Sequence, residues 1–175
     1  MPEAEAYRMM AAYQPDGSAV MELLSRAEDV LNGKHPLPNM NRQEELALIL
    51  RTRAERAASA RNTSLANSTL ERLKELLDKS NDQIVQLQFD GAAGAVLLAE
   101  GKYDEALPHL QEDSRNPLSM KLMVAAYRKT GAQEAAEELS KTLANWNEPT
   151  LEQALVVPEF RLASEATTAS SFKRM

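Results

Sequence analysis

The sequence contains no cysteine, few aromatic residues and no long apolar run. The absence of cysteine excludes disulfides, thiolate zinc sites and cysteine nucleophiles, and it fits a cytoplasmic protein as well as a periplasmic one. Aromatic residues make up only 5% of the chain while alanine is abundant, a composition that suits closely packed helices better than a sheet. Because no run approaches the roughly 18 apolar residues of a membrane span, we expect none.

The chain also lacks a surplus of basic residues. Its 175 residues carry a net charge of −6, which argues against nucleic-acid binding because that binding needs cations to neutralise phosphates. The first residues are acidic and have neither the basic nor the apolar region of a signal peptide. We therefore predict a cytoplasmic protein from the chain as it stands, and a periplasmic one if a leader has been removed.

Apolar periodicity predicts helices along most of the chain, and no strand-like alternation of useful length is present. Ser18 is the predicted N-cap of the second helix, and two prolines predict a loop at 34–39. A short capping helix is expected at 148–157, followed by a Ser/Thr/Ala-rich tail. The other predicted helices lie at about 3–13, 19–31, 42–60, a segment ending near Lys79, 82–100, 103–113, 118–130 and 133–145.

Two glycines 30 residues apart, Gly101 and Gly131, each separate one helical pattern from the next. Each is followed five residues later by an alanine, Ala106 and Ala136. The glycines allow the left-handed residue that ends the first helix of a pair, and the small residues, together with Gly94, allow helices to approach closely. A helix–turn–helix unit recurring at this spacing is typical of an α-solenoid.

These two units resemble the tetratricopeptide repeat family over about 82–149. The resemblance implies an all-α fold in which antiparallel helical hairpins stack as a short right-handed superhelix. The alternative is a helical bundle of another kind. The residues in step with the family pattern are Gly94, Gly101, Ala106, Leu110 and Pro117 in the first unit and Tyr127, Gly131, Ala136 and Pro149 in the second.

The same resemblance extends in weaker form towards the N-terminus. Degenerate hairpins are predicted at 3–31 and 42–79, and in the second of these Arg61 takes the turn position. We therefore predict one repeat domain over 1–162 and a flexible tail over 163–175.

Proteins of this family usually bind peptides on the concave face, which the first helix of each pair lines. Carried over by position, the resemblance points to Gln88 and Ala95 in the first unit and to Lys121, Ala125, Arg128 and Lys129 in the second. The three basic residues follow i, i+7, i+8 spacing and could hold a carboxylate or an acidic peptide. The alternative is that they only solvate an exposed helix.

A second basic series makes residues 42–61 positive within an acidic protein. It is either a solvated helix face paired with Glu44, Glu45 and Glu55, or a patch for an acidic segment or nucleic acid. Its members are Arg42, Arg51, Arg53, Arg56 and Arg61.

No arrangement of residues in the sequence predicts catalysis. The only histidines, His35 and His109, have no second ligand at helical spacing, so no metal site is predicted. The segment Gly91–Gly94 lacks the Lys-Ser/Thr of a phosphate loop, and helix packing is its expected role. We therefore expect no cofactor, no metal and no enzyme activity.

The sequence favours a non-catalytic scaffold that binds a peptide segment or partner subunit through a groove. The alternative is an accessory or regulatory domain of a larger enzyme or of a secretion or envelope assembly. An enzyme is a third alternative and would need a deep pocket with converging polar groups. Self-association is left open.

Overall fold

The computed structural model describes residues 2–33 and 39–172, and within them the chain forms nine α-helices and no strand. The all-α fold is therefore as predicted. The helices are α1 (Pro2–Tyr13), α2 (Gly17–Asn32), α3 (Asn39–Ser59), α4 (Thr63–Ser80), α5 (Gln83–Ala99), α6 (Tyr103–Glu112), α7 (Pro117–Thr130), α8 (Gln133–Ala144) and α9 (Leu151–Phe172).

Three helix ends differ most from the prediction. Helix α3 begins at Asn39, three residues before the expected start at 42 and at the end of the predicted loop 34–39. The N-cap of α2 is Asp16 rather than Ser18, because the Asp16 carboxylate accepts hydrogen bonds from the amides of Ser18 and Ala19 at 2.8 and 3.1 Å. Helix α9 continues past Pro158 and is longer than the capping helix expected at 148–157. The predicted tail thus begins within α9, and its last residues, 173–175, lie outside the described part.

Three hairpins close through the same turn. Gly101 and Gly131 have φ of 80° and 82°, and Arg61 reaches the same left-handed region with φ of 58°. In each turn the next amide donates to the carbonyl five residues back, at 2.9 Å in all three cases. The shared geometry at α3–α4, α5–α6 and α7–α8 supports the position of Arg61 as the turn residue of an earlier unit.

The helices pack in chain order as consecutive hairpins. Each even-numbered helix from α2 to α8 lies against the odd-numbered helix before it, and α1, α3, α5, α7 and α9 also contact one another in sequence. Four apolar clusters are distributed along this order. The chain is therefore a stack of hairpins, and α5, at its centre, is buried continuously from Asp90 to Val96.

Close helix approach at the small residues is confirmed at α5–α6. A Cβ added to Gly94 would lie 2.5 Å from Leu110 Cδ2 and 3.3 Å from the carbonyl oxygen of Ala106. Real Cβ atoms do not tolerate the first distance, so the Leu110 side chain occupies the space that a larger residue at position 94 would need. Ala106 and Ala136 are both fully buried.

Candidate functional site

The odd-numbered helices converge on a cleft of about 220 Å³, which we call the central cleft. One group of lining residues is apolar and belongs to four of the five helices: Ala12, Leu48, Leu118, Leu151 and Leu155. The other group is polar or charged and includes the α6–α7 turn: Arg8, Arg51, Thr52, Glu55, Arg56, Gln88, Asn116 and Glu152.

Arg51 forms the floor of the central cleft and is only 3% exposed. Its Nε donates to Glu55 Oε1 at 2.7 Å, one turn along α3. Its Nη1 lies 3.1 Å from Gln88 Oε1 on α5 and 2.8 Å from Asp113 Oδ2. Its Nη2 donates to Ser119 Oγ on α7 at 3.0 Å, so one side chain connects α3, α5 and α7.

The partners of Arg51 are also bonded to each other. The hydroxyl of Ser119, which is fully buried, donates to Asp113 Oδ2 at 2.5 Å. Asp113 therefore accepts from both Ser119 and Arg51. Because a buried polar group costs free energy unless it has partners, this complete network explains how an arginine is tolerated at the centre of the stack.

Gly91 provides the space for the guanidinium of Arg51. A Cβ built at position 91 would lie 2.3 Å from Cζ and 2.5 and 2.6 Å from the two terminal nitrogens. The guanidinium plane therefore lies directly against the α5 backbone. Any side chain at position 91 would displace it from its bonding partners.

Burial and charge have opposing effects on this network. Burial lowers the pKa of Arg51, but the carboxylates of Glu55 and Asp113 outweigh it, so the pKa lies above its usual range. Burial raises the pKa of Glu55, and the negative charges of Asp113 and Glu152 add to the rise, while Arg51 opposes it. One guanidinium therefore forms ion pairs with two carboxylates in a part of the protein that water reaches poorly.

The other arginines of α3 are mostly engaged in different directions. Arg53 is 8% exposed and pairs with Glu28 of α2, whose other oxygen accepts from Arg72 of α4 at 2.6 Å. Arg56 Nη2 donates to the carbonyl oxygen of Gln14 at 2.5 Å, at the end of α1. Arg42 is half-buried, and its Nε is buried with no hydrogen-bond partner within the described residues.

The predicted basic series over 42–61 is therefore not one exposed patch. Its members point in several directions around α3, and Arg51 and Arg53 are buried and ion-paired. Arg61 is exposed, but it lies in the turn after α3. Helical spacing alone cannot distinguish these cases, because a helix enclosed by neighbours has buried positions on more than one face.

The predicted peptide-binding residues separate into two places. Gln88 lines the central cleft but is 8% exposed and accepts from Arg51. Lys121 pairs with Glu159 of α9 at 2.5 Å, and Ala125 is half-buried. Arg128 and Lys129 are exposed in the last turn of α7, outside the central cleft. Of the predicted peptide-binding residues, Gln88 lines the central cleft and the four α7 residues are not among its lining residues.

His109 has a structural contact. Its Nδ1 lies 2.8 Å from Asp90 Oδ1, while the other Asp90 oxygen accepts from Gln86 at 2.8 Å, and its ring meets Phe89 edge-on. His35 lies outside the described residues. Within residues 2–33 and 39–172 no group of three or more acidic, histidine or cysteine side chains is placed to hold a metal ion. No helix of this part has the length and apolarity to cross a bilayer.

Comparison with known proteins gives no relative: no protein-family model matches the chain, and no curated protein or solved structure matches it. The functional interpretation therefore depends on the central cleft and the surface of the stack.

Proposed function

We propose that this chain is a non-catalytic protein-interaction scaffold of the tetratricopeptide type, which holds a segment of a partner protein in the central cleft. The observation that supports this most is the convergence of α1, α3, α5, α7 and α9 on one cleft. Five helices from successive hairpins each present a side chain there, as expected for a binding face built by stacking.

The size of the central cleft favours a protein segment over a small-molecule substrate. Pockets that enclose small ligands are typically about 300–1,000 Å³, whereas this cleft has about 220 Å³. That space suits one or two side chains of an inserted segment. The leucines at 48, 118, 151 and 155 provide apolar walls for such side chains.

The polar groups of the central cleft are not equally available to a partner. Arg8 is held by both oxygens of Glu45, through Nε at 2.8 Å and Nη2 at 3.4 Å, and all three nitrogens of Arg51 already have partners within its network. Arg56, by contrast, uses one nitrogen on a backbone carbonyl, which leaves other donors at the cleft rim. Arg56 is therefore the residue of this cleft that we assign to a partner carboxylate or carbonyl.

A site-specific photo-crosslinker placed at Leu151, inside the central cleft, tests the proposal in the source lysate. The matched control is the same crosslinker at Leu162, on the same helix and 67% exposed. We expect one or a few proteins to be crosslinked from position 151 and not from 162. Equal crosslinking from both positions, or from neither, contradicts the proposal.

The predicted α7 residues provide a second arm for this experiment. The partner identified from position 151 should still bind a Lys121→Ala/Arg128→Ala/Lys129→Ala variant, but bind Arg56→Ala at least tenfold more weakly. Circular dichroism and thermal melting check that both variants remain folded. If only the α7 variant loses the partner, the binding surface is the exposed end of α7 rather than the central cleft.

A further inference from the structure

Two carboxylates of the central cleft are incompletely neutralised within the chain. Glu55 lies on α3 and Glu152 in the first turn of α9, and both line the cleft. The Glu55 side chain is 18% exposed and forms an ion pair with Arg51 at 2.7 Å. Glu152 is half-buried, and within the described part of the chain its carboxylate has neither a hydrogen bond nor an ion pair.

The arginines of the central cleft are committed to other groups. Arg51 is shared, because it also forms an ion pair with Asp113 at 2.8 Å. Arg8 is bonded to both oxygens of Glu45, and Arg56 donates to a backbone carbonyl at the end of α1. The cleft and the carboxylates bonded to its arginines thus hold one more negative charge than positive. The arginines are Arg8, Arg51 and Arg56, and the carboxylates are Glu45, Glu55, Asp113 and Glu152.

The two carboxylates also act on each other. Burial is the main cause of the raised pKa of Glu55, and the negative charges of Asp113 and Glu152 raise this pKa further. Glu152 is therefore close enough for its charge to affect Glu55. A cation between the two would be attracted to both, and the low dielectric of a poorly solvated site strengthens that attraction.

The walls beside these carboxylates are apolar. Leu151 and Leu155 lie near Glu152 on α9, and Leu118 of α7 lines the same cleft. Lysine and arginine side chains combine an apolar stem with a charged tip, so they match a site with leucines along its walls and two carboxylates. An acidic side chain would be repelled there, and a purely apolar one would leave both carboxylates without a cation.

We infer that the partner segment inserts a lysine or arginine side chain into the central cleft, with its stem along the leucines and its cation between Glu55 and Glu152. The inference rests on the proposed function and makes it specific, because it names the residue type that the partner must supply. Arg56 at the cleft rim can then donate to a backbone carbonyl of the same segment.

A double-mutant cycle in the free protein tests whether Glu55 and Glu152 form one cation site. Glu152→Lys supplies a tethered cation, and its effect on the melting temperature is compared in the wild type and in Glu55→Gln. We expect the change to be more favourable in the wild type by about 2 °C or more, because only there does the new cation meet the Glu55 charge. Glu148→Lys, at an exposed position just before α9, is the matched control and should show no such difference. An equal effect of Glu152→Lys in both backgrounds overturns the inference.

Peptides displayed on phage test the chemistry of the partner segment. Random peptides retained by the immobilised full chain are sequenced, synthesised and titrated against the wild type, Glu152→Gln and the control Glu148→Gln. We expect the retained peptides to share a lysine or arginine. Glu152→Gln alone should weaken their binding roughly tenfold or more, since it removes one partner of a desolvated charge pair. Norleucine in place of the shared lysine keeps the apolar stem without the charge and should weaken binding to the wild type by a similar factor.

Three results of the phage experiment overturn the inference. The retained peptides share an acidic or only an apolar residue, or they bind Glu152→Gln as well as the wild type, or the wild type retains no peptide. None of these results alters the crosslinking from position 151, which does not depend on the charge of the segment and decides the proposed function separately.

Discussion

Two glycines one turn apart on α5 make room for different kinds of neighbour. Gly94 faces α6, where the Leu110 side chain fills the space of the missing Cβ. Gly91 faces α3, where the missing Cβ is replaced by the guanidinium of Arg51. The first junction is an apolar contact between the two helices of one hairpin, and the second is a buried polar network between hairpins.

The comparison shows that close approach of helices has two energetic outcomes. At Gly94 the gain is dispersion and burial of apolar surface, which does not depend on pH. At Gly91 the stabilisation depends on every member of a charged network being present, since an unpaired buried charge is costly. The two junctions should therefore respond differently to substitution, and the polar one more strongly.

The largest expected effect is the loss of the arginine at the polar junction. Arg51→Ala leaves Glu55 and Asp113 without their cation, and removing one partner of a buried pair typically costs about 3–5 kcal/mol. Urea denaturation measures this loss. Arg26→Ala is the control, because Arg26 and its partner Glu22 are both exposed and solvent screens their attraction, so its loss should change stability little. A loss for Arg51→Ala as small as that of the control would refute the proposed network.

A smaller loss is expected at the apolar junction. Gly94→Ala forces the new Cβ against Leu110, and overpacking of this kind costs about 1–3 kcal/mol, offset in part by the better helix propensity of alanine. In a Leu110→Ala background the same change should become neutral or stabilising, because the space is then open. Thermal and urea unfolding of the wild type, the two single variants and the double variant measures the effect of Gly94→Ala in both backgrounds. An equal loss of stability in the two backgrounds would contradict the prediction.

Of the two junctions, only the polar one should make the stability of the protein depend on pH, and it should do so through Glu55. Its pKa is raised in the folded state, so the native protein binds more protons than the unfolded chain above the ordinary value of 4.5. Stability from this group is therefore present below that pH and is lost as pH rises through the folded-state pKa. The free energy of unfolding of Glu55→Gln should therefore rise relative to that of the wild type as pH increases above 4.5. Urea unfolding at several pH values measures this difference. A constant difference between the two proteins would mean that burial does not shift this pKa.

The smallest effect is expected where a glycine is missing. Arg61 holds φ of 58° at the turn where the two later hairpins have glycine. A left-handed conformation costs a residue with a Cβ about 1–2 kcal/mol, and glycine avoids this cost. Part of that gain is lost because a glycine makes the unfolded chain more flexible. Arg61→Gly should therefore stabilise the protein by about 0.5–1 kcal/mol in thermal unfolding, while Arg61→Ala should not. Destabilisation by glycine would show that the Arg61 side chain has a role of its own.

Sequence patterns predicted the helices well because their signals are local. Apolar spacing, caps and the turn glycines act within a few residues. The turn at Arg61 was predicted from the weaker resemblance of that hairpin to the later units, although its spacing to the next turn is 40 residues rather than 30. The expected helix-packing role was confirmed for Gly94, whereas Gly91 makes room for the Arg51 guanidinium.

The nature of the Gly91 contact and the central cleft could not be predicted in the same way. Arg51 meets residues 37, 62 and 68 positions away, and no local signal selects those partners. One hint was present, since Arg53 lies at a position where the apolar stripe of α3 expects a core residue, and it is buried. An arginine within a core-facing stripe indicates a buried ion pair rather than a basic surface.

The central claim is that the missing side chain at Gly91 leaves the space that the Arg51 guanidinium occupies. A double-mutant cycle between positions 91 and 51 tests this claim most directly. Gly91→Ala should destabilise the wild type by about 1–3 kcal/mol, because the added Cβ displaces the guanidinium. In the Arg51→Ala background the same change should stabilise by up to about 1 kcal/mol through helix propensity, which gives a coupling free energy above about 1 kcal/mol. If the destabilisation of the double variant equals the sum of the two single values within about 0.5 kcal/mol, the account is contradicted.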